Sequence, residues 1–176
     1  DNDNVRIISN ENKTVSNYWE TDTKGWKVSN AENMYDISFS ATAAYFGKHL
    51  YEGNGNIPVG LISSAVGGAS IETFLVNPVN DESGNQIYKG NSALYNRLIY
   101  PYTNWSNEDK NGIGLAGITW YQGEADANST KMSMSTYTKA MEQMVNDYRT
   151  VFNDESLPFM YVQLAAFDNP SGEYAA

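Results

Sequence analysis

The chain has 176 residues, 41% hydrophobic and 13% aromatic, the size and mix of one globular domain with a sizeable core, which excludes a disordered tail, a collagen-like repeat or a small stapled scaffold. Lys plus Arg number 11 against 21 Asp plus Glu, a net charge of −10 and a pI of about 4.4, so nucleic acid and anionic membrane are poor partners. With no cysteine there is no thiolate nucleophile, no disulfide framework and no Cys-ligated zinc or iron–sulfur site.

No apolar run is long enough to cross a bilayer, and the opening Asp1-Asn2-Asp3-Asn4 lacks the basic-then-apolar pattern of a signal peptide. Because the first residue is not Met, the chain is expected to be processed or cut from something longer. Val5-Arg6-Ile7-Ile8 predicts a short strand, and the polar, aromatic stretch after it (Tyr18, Trp19, Trp26) reads as loop with room for a hairpin. Over 38–52, Phe39, Ala43, Phe46 and Leu50 recur at intervals of four, three and four, the stripe of an amphipathic helix, with Gly53 at its stop. The β-branched run Ile57-Pro58-Val59-Gly60-Leu61-Ile62 predicts a strand covered on both faces in a parallel sheet. It ends in small residues through Gly67-Gly68-Ala69, and a helix start is expected next, where the Glu72 carboxylate can cap free N–H groups.

The same shape recurs downstream. Leu115-Ala116-Gly117-Ile118-Thr119-Trp120-Tyr121 predicts a buried strand, Gln122-Gly123-Glu124-Ala125-Asp126 a polar break, and 133–152 a long helix with Met134, Tyr137, Met141, Met144, Tyr148 and Val151 on one face. Pro158-Phe159-Met160-Tyr161-Val162-Gln163-Leu164 predicts another strand. Strands separated by helices imply βαβ units and a doubly wound α/β fold, whose chemistry lies just past the carboxyl ends of the strands. Here those positions are 64–70 and 122–126.

The nucleophile elbow Gly-x-Ser-x-Gly is absent; Gly68-Ala69-Ser70-Ile71-Glu72 comes nearest, with Glu in place of the last Gly. Gly112-Ile113-Gly114-Leu115-Ala116-Gly117 matches a dinucleotide fingerprint but precedes a strand instead of joining strand to helix, so it is a chance match. The single histidine, His49, reads either as a general base or, more commonly for a helix end, as a structural residue near the negative pole of the dipole. One histidine and scattered carboxylates make no metal-ligand cluster.

Gly67-Gly68 after a strand is either a turn needing positive φ or a place where backbone N–H groups meet a developing oxyanion. Gln122-Gly123-Glu124 is a second break of the same kind that opens on an amide donor. Amides and N–H groups converging above one sheet suit acyl transfer, because charge appears on the carbonyl oxygen only as the tetrahedral intermediate forms. Trp105, Trp120 and Tyr121 could stack on sugar rings, though most aromatic residues belong to the core. The sequons at Asn12, Asn104 and Asn128 arise readily by chance in an Asn-rich chain.

Five stretches, 39–50, 58–72, 94–99, 117–127 and 157–164, together resemble the sialate O-acetylesterase-like branch of the SGNH hydrolases, which also includes acetyl-xylan esterases. Their order and spacing fit, and Trp120-Tyr121-Gln122-Gly123-Glu124 is the most specific block. The resemblance implies a flavodoxin-like, three-layer α/β/α sandwich with a mostly parallel sheet, here incomplete at both ends. It implies a Ser–His–Asp triad that removes acetyl groups from sugar hydroxyls without metal or organic cofactor.

Carried over by position, Gly67-Gly68 resembles the oxyanion block and Gln122 the side-chain oxyanion donor. Glu124 would brace that loop or the substrate pocket. Glu72, Asp126, Trp120 and Tyr121 would line or edge the pocket. The family's Gly-Gln-Ser-Asn nucleophile block and its C-terminal Asp and His block are not in this sequence; 1–8 corresponds to a strand downstream of the serine. Residues 1–176 are therefore expected to be a fragment of one esterase domain, inactive alone, because a triad without its nucleophile keeps only residual acceleration. Two rivals stand beside this reading: a non-catalytic carbohydrate-binding relative, and a structural α/β domain. An acidic, cysteine-free glycan esterase suits a periplasm or cell surface.

Overall fold

The computed structural model describes residues 2–9, 26–90, 114–127 and 133–164. They form two compact units, one holding the described residues up to Val66 and the other those from Gly67 onward. The structure is mixed α/β, and the described sheets are small: two strand pairings are parallel and two antiparallel.

In the first unit, β1 (Asn2–Ser9) lies between β2 (Lys27–Ser29) and β3 (Val59–Ser63). β1 runs antiparallel to β2, with Ile7 opposite Lys27, and parallel to β3, with Ile7 opposite Leu61. The predicted strand at 5–8 is thus the central one, which is why Val5, Ile7 and Ile8 are buried. A short helix that the sequence reading does not anticipate, α1 (Ala31–Asp36), follows β2; the Asn30 side chain caps it by accepting the Asn33 N–H at 2.8 Å.

The predicted helix at 38–52 is α2 (Ala41–Gly53), capped by Ser40, whose hydroxyl accepts the Ala43 N–H at 3.3 Å. Its buried face is Ala44 and Gly47, whereas Phe46 and Leu50 of the predicted stripe are exposed. The rotation follows from close approach, since a Cβ at Gly47 would overlap Leu61 Cδ1. Ile7, Phe39 and Ala44, with Met34, Ile37, Ala43 and Leu61 around them, form this unit's core.

The second unit opens at the turn Gly67-Gly68, where Gly68 has φ +76°, and continues into a single 3₁₀ turn, Ile71–Phe74. The helix expected here is only these four residues, and Glu72 does not cap it; its Oε1 accepts the Lys89 N–H at 3.2 Å. An unanticipated hairpin follows, β4 (Val79–Asn80) with β5 (Gln86–Tyr88), antiparallel. The Asp81 carboxylate shapes its turn by accepting the Ser83 and Asn85 N–H groups, each at 2.8 Å.

β6 (Ile118–Trp120) pairs in parallel with β7 (Phe159–Tyr161), Ile118 opposite Phe159. Between them in sequence come α3 (Glu124–Ala127) and α4 (Met134–Phe152). Ser133 caps α4, its hydroxyl accepting the Thr136 N–H at 3.1 Å, and Asn153 closes it in the left-handed region at φ 52°. The buried residues of α4 are Ala140, Met144, Asp147 and Tyr148. Met134 and Val151, expected on that face, stand at the two ends of the helix and are exposed. Ile71, Phe74, Leu75, Val79, Trp120, Met144, Tyr148 and Leu157 supply the apolar core of this unit.

Gly114 to Gly117 form no strand-to-helix turn, in keeping with the chance reading of that motif. Tyr18, Trp19, Trp105, the resemblance stretch 94–99, the three sequons and the last 12 residues lie outside the described residues.

Candidate active site

Of the segments singled out by sequence, 64–70 and 122–126, the part of the first from Gly67 onward and the whole of the second are joined inside the second unit by one hydrogen-bond network. Gln122 is its centre. Its Nε2 donates to the Ala69 carbonyl at 2.8 Å and to Asp126 Oδ2 at 2.6 Å. Its Oε1 and its own backbone carbonyl both lie 3.1 Å from the Tyr137 hydroxyl, which donates there and receives the Trp120 Nε1–H at 3.3 Å. The amide orientation is fixed by chemistry: a flipped amide would set its oxygen against a carbonyl and a carboxylate.

Asp126 occupies the first turn of α3 and is 3% exposed, and its Oδ2 also accepts the Ile71 N–H at 2.8 Å. One carboxylate oxygen therefore ties the break after β6 to the main chain that follows Ser70. Burial raises the Asp126 carboxyl from its ordinary value; the bonds from Gln122 and Ile71 pull it down, and the nearby Glu72 charge adds to the rise. Burial likewise raises the Tyr137 phenol, opposed by the bond from Trp120 and reinforced by the charges of Asp126 and Glu124. Tyr88 is pushed up to about 12 by burial and then by Asp126, Glu72 and Tyr137. Both phenols stay neutral at neutral pH and keep their donor protons.

Gly123, at φ +150°, has Leu164 Cδ1 at 3.0 Å and the Tyr137 hydroxyl oxygen at 3.6 Å from where a Cβ would stand. A side chain there would strain the backbone and crowd Leu164. At Gly67 and Gly68 a Cβ would meet nothing within 4 Å, so the turn is exposed and open on its outer side.

Several expected roles change with this geometry. Gln122 is not a free side-chain donor: an amide has two N–H groups and both are taken, so it could serve an oxyanion only by releasing Ala69 or Asp126. Asp126 is buried within the network instead of facing a ligand. Trp120, 7% exposed, packs edge-on against Phe74 with ring centroids 4.8 Å apart, a core position that offers no face to a sugar. Tyr121, 59% exposed, and the exposed Glu124 remain free to meet a ligand, and Glu72 is half-buried with Oε1 on the Lys89 N–H.

His49 lies on the last turn of α2, in the first unit, 72% exposed and 3.4 Å from Glu52 Oε2. The network around Gln122 contains no histidine. Among the described residues no cluster of three or more His, Asp or Glu could hold a metal ion, and no described helix is long and apolar enough to cross a membrane.

Sequence reasoning missed Tyr137, counted only as one member of a helix face. Its position near the start of α4 gives no signal of its own; only the fold brings it under Gln122.

The family model for carbohydrate esterases of the sialic acid-specific acetylesterase type matches residues 3–175. The chain belongs to this family. The sialate O-acetylesterase of Pongo abelii is 29% identical over 165 residues, covering 80% of this chain and 29% of the relative. That of Homo sapiens is 28% identical with the same coverage. The chain thus spans under a third of the length of these curated relatives. Among solved structures, a carbohydrate acetylesterase from Xanthomonas citri superposes with a TM-score of 0.64 at 24% identity, covering 93% of this chain and 34% of that one, a likeness of fold. The Trp120-Tyr121-Gln122-Gly123-Glu124 block that carried the sequence resemblance is the same segment that anchors the hydrogen-bond network.

Proposed function

We propose that this chain is part of a carbohydrate O-acetylesterase that hydrolyses acetyl esters on sugars, as sialate O-acetylesterases and acetyl-xylan esterases do. The observation that carries this reading is the family match over residues 3–175. In the intact protein, 1–176 is one SGNH-type domain segment within a flavodoxin-like α/β/α sandwich, exported to a periplasm or cell surface.

A serine outside residues 1–176 attacks the acetyl carbonyl and forms an acetyl-serine. A histidine takes the serine proton and passes it to the departing sugar hydroxyl; water then releases acetate by the same route. The backbone N–H groups at Gly67-Gly68 meet the oxyanion, and the exposed Tyr121 and Glu124, with Glu72, meet the sugar. His49 is 72% exposed and its ring sits 3.4 Å from the Glu52 carboxylate of its own helix, which supports a base supplied from elsewhere.

The test is acetate release from acetylated sialate and acetylated xylo-oligosaccharides by the parent protein, beside the purified 176-residue chain on an aryl acetate. We expect turnover by the parent and none by the segment. An inactive parent would sink the esterase reading; full activity from the segment, confirmed by intact mass, would sink the placement of the triad.

A further inference from the structure

We propose that Tyr137 is a positioning residue for the Gly67-Gly68 turn: its hydroxyl locks the Gln122 amide, and through Gln122 it fixes the Ala69 carbonyl and the backbone N–H groups beside it. The inference rests on the esterase reading above for what the turn is positioned to do.

Gly67 and Gly68 are exposed, have no heavy atom within 4 Å of a would-be Cβ, and include one residue at φ +76°. Glycine gives the backbone freedom that something must remove before its N–H groups can be preorganised. Two bonds remove it just downstream: Ala69 O receives Gln122 Nε2–H at 2.8 Å, and the Ile71 N–H reaches Asp126 at 2.8 Å. Those bonds flank Ser70 and depend on the Gln122 rotamer, because Gln122 also holds Asp126 Oδ2 at 2.6 Å.

A glutamine side chain has three rotatable torsions, and ordering it against solvent needs bonds at both ends of the amide. Tyr137 supplies the second end. Its hydroxyl sits 3.1 Å from both the Gln122 backbone carbonyl and Oε1, which clamps the side chain relative to its own main chain. The hydroxyl is itself oriented, since the Trp120 Nε1–H occupies one of its lone pairs and directs its proton toward Gln122. Trp120 is in turn held edge-on by Phe74, so the chain of contacts starts in the rigid core and ends at the turn.

The experiment compares Tyr137→Phe, Gln122→Ala, the double variant and Tyr148→Phe in the parent protein. Tyr148 is the control: a buried phenol of the same helix whose hydroxyl donates to the Phe74 carbonyl at 3.1 Å instead of to Gln122. We expect Tyr137→Phe to lower kcat by about tenfold or more with KM held within about twofold, because misplacement weakens the transition state more than binding. The double variant should be no slower than Gln122→Ala alone, as for residues acting in series. Additive losses, or a Tyr137→Phe enzyme with unchanged kcat, would overturn the proposal.

Amide exchange in the peptide holding 67–71 reads the same lock without any substrate. It should quicken in Tyr137→Phe and stay unchanged in Tyr148→Phe, even where the latter lowers Tm. Equal exchange in both variants would refute the lock. Faster exchange in a parent that shows no esterase activity would keep the lock and discard only the esterase reading.

Discussion

In the unit ending at Val66, the buried side chains are Val5, Ile7, Ile8, Phe39 and Ala44, with Ser63 as the polar exception among the described residues. From Gly67 onward an apolar core shares its interior with two carboxylates, Asp126 and Asp147. Each accepts a main-chain N–H from a distant segment: Ile71 to Asp126 at 2.8 Å, Asn77 to Asp147 at 3.2 Å. Asp147 also takes the side-chain amides of Asn77 and Gln143, each at 2.8 Å. Apolar burial is non-directional; it fixes how close two elements lie and leaves loop rotation free. Hydrogen bonds to a buried carboxylate fix direction as well. The part of the chain that has loops to aim is the part that buries charge.

That contrast is broken first by removing apolar volume from the unit that depends on it. Ile7 is fully buried at the centre of the three-stranded sheet, so Ile7→Ala should destabilise by about 2–5 kcal/mol through lost transfer energy and the cavity left behind. Chemical denaturation of the parent protein checks it. A loss below about 1 kcal/mol would mean that this core collapses around the gap, and that apolar packing does not hold the unit.

Asp147→Ala is the matching cut on the other side. It leaves the Asn77 N–H and two side-chain amides without their acceptor, and buried donors left unmade cost about 1–3 kcal/mol. The expected signature is local as well as global: exchange at Asn77 and along β4 should quicken, while β1 and β3 keep their protection. Uniform loosening of both units would show that the carboxylate contributes to general stability and does not aim a particular segment.

The strands at 5–8, 118–120 and 159–161 and both long helices were legible because hydrophobic period and capping residues are local signals, and Ser40 and Ser133 cap where such residues should. The helix faces were less so. Gly47 displaces the α2 stripe because a residue with no side chain lets Leu61 in, and hydrophobicity alone cannot report that. The β4–β5 hairpin escaped because its strands are two and three residues long, although Asp81 and Ser83-Gly84-Asn85 mark its turn. At the site, the Gln122 block and Gly67-Gly68 stood out as breaks after strands, but their roles turn on partners 53 and 15 residues away, Ala69 and Tyr137. Trp120 and Asp126 were read as ligand-facing because residue type carries no information about burial.

The smallest expected effect is the dependence of stability on pH that Asp126 brings. Burial raises the folded-state pKa of Asp126 from its ordinary 3.8, outweighing the bonds from Gln122 and Ile71. A carboxyl whose native pKa lies above its unfolded value binds its proton more tightly when folded, so its contribution is fullest in acid. It declines as pH climbs from 3.8 through the raised native value. Asp126→Asn removes that titration. The stability of the wild type minus that of Asp126→Asn, followed by denaturation from about pH 3.5 to 6.5, should therefore fall as pH increases. A difference that grows with pH would mean that the Gln122 and Ile71 bonds outweigh burial, making Asp126 a net anchor for its charged form. The network would then be strongest, and the turn at Gly67-Gly68 best held, at the alkaline end of that range.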